Sequence, residues 1–411
     1  MTETVSTRPD ARPNSTFPVL RRCPVAAPEE YGQLREEGPL VKVTTVAGQQ
    51  VWWATTHGTA RAILADPRFS SDRTRDGYPL FFTDAKVREN VRNQPRFVMI
   101  GMDGADHSRT RRSAIGEFTV KRLAALRPRI QEIVDEFVDE MLAREDRPVD
   151  LVQALSLPIP SLVICELLGV PYADHDFFQQ RSGKLLSRST GPEQRQAVVT
   201  ELRAYLGGLI DAKTAEPADD LLSRLIAKQQ EIGDPDREEL VGMAFLLLVA
   251  GHETTANMIS LGTVGFLENP EQLAAIKDDP AKIPMAVEEM LRYFSIADMV
   301  TRVAAQDVEI GGVTVKAGEG VIASTMSANR DSGTFADADK LDIERGARHH
   351  VAFGYGPHQC LGQNLARQEL EIVFETLFRR IPNLKLAASL EDIPFKDDGL
   401  VYGVHRLPVT W

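Results

Sequence analysis

The ten residues FGYGPHQCLG, Phe353 to Gly362, set a cysteine among three glycines, a proline and a histidine. Cys360 is one of only three cysteines, and the other two, Cys23 and Cys165, lie far from it in the chain. An odd, widely spaced set argues against a disulfide scaffold and fits a reducing compartment. Cys165 sits in the apolar run SLVICELLGVP and reads as a buried space-filler. After Cys360 the text LGQNLARQELEIVFETLFRRI has helical spacing through Ile381. A cysteine at a helix N-terminus faces unpaired N–H groups and the positive end of the dipole, which predicts a lowered thiol pKa and a soft thiolate ligand for a metal. Glycines 354, 356 and 362 let this loop turn sharply or lie against something flat and bulky.

A second chemical candidate interrupts the longest helical stretch, DREELVGMAFLLLVAGHETTANMISLGTVGFLENP. Asp236 followed by Glu239 resembles a capping box and Asn269-Pro270 is a stop, leaving ~30 residues and ~45 Å of helix. Its middle carries His252, Glu253, Thr254 and Thr255. Four successive residues sweep ~300° around the axis, so if the flanking turns are buried, some polar group is inside. Ala250 and Gly251, four and three positions before Thr254, would open a groove beside an acid and a hydroxyl. The simpler alternative is a threonine bonding back to its own helix, with Glu253 at the surface.

The elements that must position these groups are mostly helical. Apolar residues recur every three to four positions through Leu123 to Leu142, Leu202 to Ile210, Leu221 to Ile232 and Gln368 to Ile381. Strand-like text occurs at Val41 to Thr56, with a turn at Ala47-Gly48, and at Asp307 to Thr325, with a turn at Gly311-Gly312. The predicted architecture is mainly α with a small β part. At 411 residues and 43% hydrophobic content, with no linker and no repeat, residues 21–411 read as one domain behind a loose tail at 1–20. The tail lacks a signal-peptide core, and the longest apolar run, Val241 to Ala250, is too short to span a bilayer by the ~20-residue criterion, so a soluble cytoplasmic protein is expected, without membrane attachment. A net charge of −12 disfavours nucleic-acid binding.

On these residues the chain resembles the cytochrome P450 superfamily, in the style of soluble actinobacterial members that take electrons from a ferredoxin. FGYGPHQCLG matches the family's haem-binding signature, Phe-Gly-x-Gly-x-His-x-Cys-x-Gly, at every fixed position. AGHETT, Ala250 to Thr255, is similar to the oxygen-activating segment of the family's central helix, and EEMLR supplies Glu289 and Arg292 of its Glu-x-x-Arg pair. Without that resemblance, Glu289 and Arg292 would read as an ordinary i, i+3 surface pair. HSRTR gives His107 and Arg111, and TRVA gives Arg302, where the family has haem-propionate partners; His358 is positioned for the same task. The family completes the Glu-Arg pair with a second arginine, where DADKLDI puts Lys340, with Arg345 and Arg348 as nearby alternatives.

The resemblance implies a cytochrome P450 fold and heme b, with an axial thiolate from Cys360 shielded by Phe353 and with Gly354 and Gly362 close to the porphyrin. It implies monooxygenation, with Thr254 holding the reacting oxygen and Glu253 feeding it protons. Implied partners are O2 and a ferredoxin with its NAD(P)H-dependent reductase, with Arg109, Arg112 and Arg367 as candidates for a docking patch; the protein itself is expected to be a monomer. Leu247, Ala250, Ile296, Ala297, Val300 and Val401 are the substrate-pocket candidates, within a set of segments that also includes Arg73 to Met99 and Gly183 to Thr190. They suit a bulky, mostly apolar molecule such as a polyketide, macrolide, terpenoid, steroid-like compound or xenobiotic. Two other readings stand beside this one: a zinc protein using His349, His350, His358 and Cys360, and a haem-thiolate sensor or non-oxygenating isomerase on the same fold.

Overall fold

The apolar periodicities fold as helices around one central element. The computed structural model describes residues 16–93, 99–233, 236–397 and 399–411. The central helix runs Arg237–Leu267. The Asp236 carboxylate accepts from the Glu239 amide at 3.0 Å, which satisfies one of the free donors of the first turn. Glu239 does not return the bond as a capping box would. Its carboxylate turns to Arg109 at 2.6 Å and Thr110 at 2.9 Å, tying the central helix to the helix Gly104–Ile115. The predicted stop also starts the next helix, Pro270–Asp278, whose missing first-turn N–H costs nothing.

A helix apolar nearly all round must be enclosed by others. Pro158–Leu168, Pro192–Ala215, Ile283–Phe294 and Gln363–Arg380 pack against it. The stretch Leu123 to Leu142 lies inside the helix Val120–Ala143, and Leu221–Ile232 is helical as read. The helix after Cys360 begins at Gln363, three residues on, so Gly362 and not Cys360 is its cap.

Both hairpins form. Leu40–Thr45 and Gln50–Ala54 pair antiparallel around Gly48, and Val308–Ile310 pairs with Val313–Val315 around Gly311 and Gly312, both at positive φ. The second stretch divides, however, because Gly320–Ser324 leaves its hairpin for the main sheet. That six-stranded sheet has the order Thr16–Phe17, Leu40–Thr45, Gln50–Ala54, Gly320–Ser324, Met299–Ala304, Phe69–Ser70. Arg302 lies opposite Val321, and strand alternation puts it on the same face as Val300.

The segment read as a tail contributes to this sheet. Thr16 and Phe17 pair in parallel with Thr44 and Thr45, and the Phe17 ring is buried 5.2 Å from Trp53. Burial of this one aromatic in an apolar slot anchors the strand Thr16–Phe17 to the sheet. Residues 1–15 lie outside the described residues. Among the described residues no helix is long and apolar enough to cross a membrane.

Candidate active site

The Cys360 loop closes on itself before the helix begins. The Cys360 amide donates to the Phe353 carbonyl at 2.9 Å, and Gln359 donates to Gly356 at 3.0 Å. Gly354 and Gly356 adopt φ of +69° and +73°, which L side chains rarely tolerate. A Cβ on Gly356 would also lie 2.5 Å from the Leu64 carbonyl oxygen, at the end of the helix His57–Ala65. Gly356 therefore serves protein packing, a role different from the close approach to a flat ligand expected for it. Around Gly354 and Gly362 a Cβ would meet nothing within 4 Å.

Burial pushes the Cys360 thiol up, against the opposing effects of the Gly362 and Gln363 amides and of the Arg111 and Arg367 charges. Desolvation outweighs these amides and charges, so the expected lowering of the free thiol does not occur. A metal charge is what would ionise this sulfur. Phe353, whose carbonyl accepts the Cys360 amide, has the Arg367 guanidinium 4.6 Å over its ring.

Next to this loop four nitrogen-bearing side chains gather from three elements. Arg111 and His107 come from Gly104–Ile115, Arg302 from Met299–Ala304 and His358 from the turn Gly356–His358. The two imidazoles lie 3.9 Å apart, and His358 Nε2 is 3.1 Å from Ser71 Oγ. Arg111 donates to the Gln359 carbonyl at 2.6 Å and Arg302 to the Thr301 carbonyl at 2.8 Å. Among the described residues neither guanidinium forms an ion pair with a carboxylate, and His107 Nε2 is buried without a partner. Burial pushes the pKa of both arginines down; for His358, burial and then the charges of Arg302, His107 and Arg111 bring it to about 3. Two crowded cations, two neutral imidazoles and one orphaned nitrogen are a donor set that fits a buried ligand carrying two carboxylates, as haem does.

On the central helix, Leu247, Ala250 and Thr254 recur at helical spacing on one face. Ala250 is exposed in mid-helix and Thr254 is half-buried, whereas the residues on either side of this patch are largely enclosed. Thr254 Oγ1 donates to the Ala250 carbonyl at 2.8 Å, as the simpler alternative anticipates. Glu253 is not at the surface: it is buried, and its carboxylate accepts from Lys396 Nζ at 2.6 Å. Gly251 does not widen the groove either. A Cβ there would lie 2.9 Å from Ile164, so this glycine admits the helix Pro158–Leu168.

Glu289 and Arg292 are fully buried and paired, and the open third place is taken by Arg345, whose Nε donates to Glu289 Oε1 at 3.2 Å. The Lys340 ammonium points to Asp337 at 3.5 Å and only its carbonyl joins the network, accepting from Arg292 at 3.0 Å. Of the docking arginines, Arg109 is engaged by Glu239, and Arg367 by Glu288 at 2.5 Å and 3.1 Å. Against its own desolvation, Glu288 is held down to about 2 by His350 and Arg367. Arg112 is exposed. The zinc set is not assembled: His349 stacks on Phe335, His350 faces Glu288, and His358 faces His107. No group of three or more potential metal-binding side chains occurs among the described residues.

The pocket candidates converge in part. Ile296 is half-buried, Ala297 exposed and Val300 half-buried, and the Ile296 carbonyl accepts from the Tyr402 amide at 2.9 Å, which brings Val401 beside them. Leu186, in the segment Gly183 to Thr190, accepts from the Leu400 amide at 2.7 Å. Residues 94–98 of the segment Arg73 to Met99 lie outside the described residues. Sequence reasoning missed Asp298, which accepts from Tyr31, Ser324 and Met326, and missed Lys396 with Asn257. A lone lysine in DIPFKDD carries no signal that could have found it.

Comparison with known proteins gives concordant results. The family described as Cytochrome P450 matches residues 209–403. Pentalenic acid synthase of Streptomyces avermitilis is 52% identical over 96% of this chain and 97% of its own. Vitamin D3 dihydroxylase of Streptomyces griseolus is 48% identical with both chains fully covered. The crystal structure of cytochrome P450 MoxA from Nonomuraea recticatena superimposes with a TM-score of 0.90 at 63% identity, covering 97% of this chain and 98% of that one.

Proposed function

The chain belongs to the cytochrome P450 family and is a haem-thiolate monooxygenase, and from that premise we propose that Cys360 would supply the thiolate that holds the haem iron and that a bulky, mostly apolar molecule is hydroxylated. When bound, haem supplies the redox chemistry that cleaves dioxygen and leaves one oxygen atom for the substrate. Arg111, Arg302, His107 and His358 would hold the two haem carboxylates, and the absence of carboxylate ion-pair partners for the two arginines among the described residues is the observation that supports this assignment. Glu289, Arg292 and Arg345 brace the segment that leads to the Cys360 loop. With haem bound, Thr254 would offer its hydroxyl to the reacting oxygen and Glu253 would relay protons to that side of the pocket.

The substrate reading rests on side chains. Leu247, Ala250, Ile296, Ala297, Val300 and Val401 are all small or aliphatic, and each substrate CH₂ buried against them contributes ~0.8 kcal/mol. Relatives named for vitamin D3 and pentalenic acid support a polycyclic or similarly bulky apolar substrate. Electrons come from a ferredoxin, with Arg112 as the exposed cation of the docking face, Arg109 shared with Glu239, and Arg367 largely neutralised by Glu288. The protein acts in the cytoplasm as a monomer, and its one domain includes the strand Thr16–Phe17, ahead of the residue 21 boundary expected from sequence.

The deciding experiment is a ligand titration followed by the haem spin-state change, using a panel of steroid, macrolide and terpenoid compounds of graded size. Tight binding in the large class, with ferredoxin-driven hydroxylation of the same compound, is expected. Binding confined to a small monoterpene would overturn the substrate assignment.

A further inference from the structure

Lys396 Nζ lies 2.6 Å from Glu253 Oε1 and 3.0 Å from Asn257 Oδ1, and both acceptors sit one turn apart on the central helix. Lys396 belongs to a short hairpin near the C-terminus. Its amide donates to the Gly403 carbonyl at 2.8 Å, and Phe395 bridges to Val404. Gly403, opposite it, packs so closely on Asn257 that a Cβ would overlap the Asn257 side-chain oxygen. Both strands of the hairpin are thus seated on the same turn of the central helix, one by charge and one by shape.

The pair is enclosed but reachable. The Lys396 and Glu253 side chains are 13% and 9% exposed, and Lys396 lines a small open cleft of about 60 Å³ together with Arg21, Asp298 and Tyr402. Lys396 therefore stands between solvent and Glu253. A carboxylate this buried has a large desolvation cost, and a lysine that holds it also decides where it points.

We propose that Lys396 is the positioning residue for Glu253: it fastens the hairpin Phe395 to Val404 onto the central helix and fixes the carboxylate between the cleft and Thr254. This rests on the reading of Glu253 as the group that moves protons to the reacting oxygen. The hairpin that carries Lys396 also carries Val401 and Tyr402, so a substrate that shifts this hairpin also shifts Glu253.

The test uses the full-length haem-loaded protein as Lys396→Met, Lys396→Arg, Gly403→Ala and Glu253→Gln variants. Two quantities are measured: hydrogen exchange of the hairpin amides, and product formed per NADPH with its solvent isotope effect. Lys396→Met should speed hairpin exchange by about tenfold, as for the loss of a partly buried ion pair, and should lower coupling as Glu253→Gln does. Lys396→Arg should restore both, and Gly403→Ala, which forces the hairpin's other strand away from Asn257, should speed exchange and lower coupling in the same way and so replaces Lys396→Met if that variant folds poorly. Faster exchange with unchanged coupling would make the contact a fastening only and overturn the positioning role. Unchanged exchange and coupling in Lys396→Met, with Glu253→Gln impaired, would overturn it outright. Unchanged coupling in Glu253→Gln would instead remove the proton role of Glu253 on which the proposal rests.

Discussion

Arg345 Nε and Arg292 Nη2 donate to the same oxygen of Glu289, at 3.2 Å and 2.7 Å, and that oxygen also accepts from the Asp342 amide at 2.9 Å. Three donors on one buried oxygen leave no room for Lys340, whose side chain is 77% exposed. Breaking a buried pair leaves an uncompensated charge, so Arg345→Gln should lower stability by about 3 kcal/mol. Lys340→Ala should stay within about 0.5 kcal/mol of the parent. Thermal melting of the two variants separates them, and equal losses would return Lys340 to the network.

The adjacent rings of His107 and His358 should matter for cofactor retention more than for folding. A hydrogen bond to a charged group contributes about 1.5–3 kcal/mol, so His358→Ala should speed haem release roughly tenfold or more. Transfer of haem to an apo-globin acceptor measures this directly. An unchanged rate would assign both rings to packing alone.

Cys360→Ala and Cys360→His should each abolish the red-shifted Soret band of the reduced carbon monoxide complex, which reports thiolate ligation. A surviving band in Cys360→Ala would place the ligand elsewhere.

Thr254→Ala should leave haem content and substrate affinity nearly intact while diverting reducing equivalents to peroxide or water. Its hydroxyl already donates to Ala250, one turn back, so it must exchange that partner to act on oxygen. Peroxide measured per NADPH consumed checks this. Parent-like coupling would leave Thr254 as a helix-bonded threonine and nothing more.

Glu369, on the helix Gln363–Arg380, is buried, and its Oε2 has no hydrogen-bond partner among the described residues. Burial pushes its carboxyl up to about 8. The native state then holds a proton that the unfolded state has released, so stability falls as pH rises from about 4.5 to about 8. Glu369→Gln should raise stability by about 2 kcal/mol at pH 7, with little effect near pH 4.5. Melting both proteins across that range checks the sign. Parallel curves would mean that the carboxyl finds a partner.

Sequence alone determined the features set by local chemistry. The Cys360 loop is spelled out within ten residues because positive-φ turns and a following helix constrain neighbours in the chain. The central helix is legible because its cap, period and stop are all local. Even there, three near-range inferences failed on contacts from elsewhere: Gly251 answers to Ile164, Gly356 to Leu64, and Glu239 to Arg109 and Thr110. Tertiary structure decided which of several available cations reaches a given buried carboxylate: Arg345 and not Lys340 at Glu289, Arg367 at Glu288, Lys396 at Glu253. The physical reason is reach. Long charged side chains extend several ångströms from their backbone, and which one loses its water to meet a partner depends on how distant segments pack, a property no window of sequence contains.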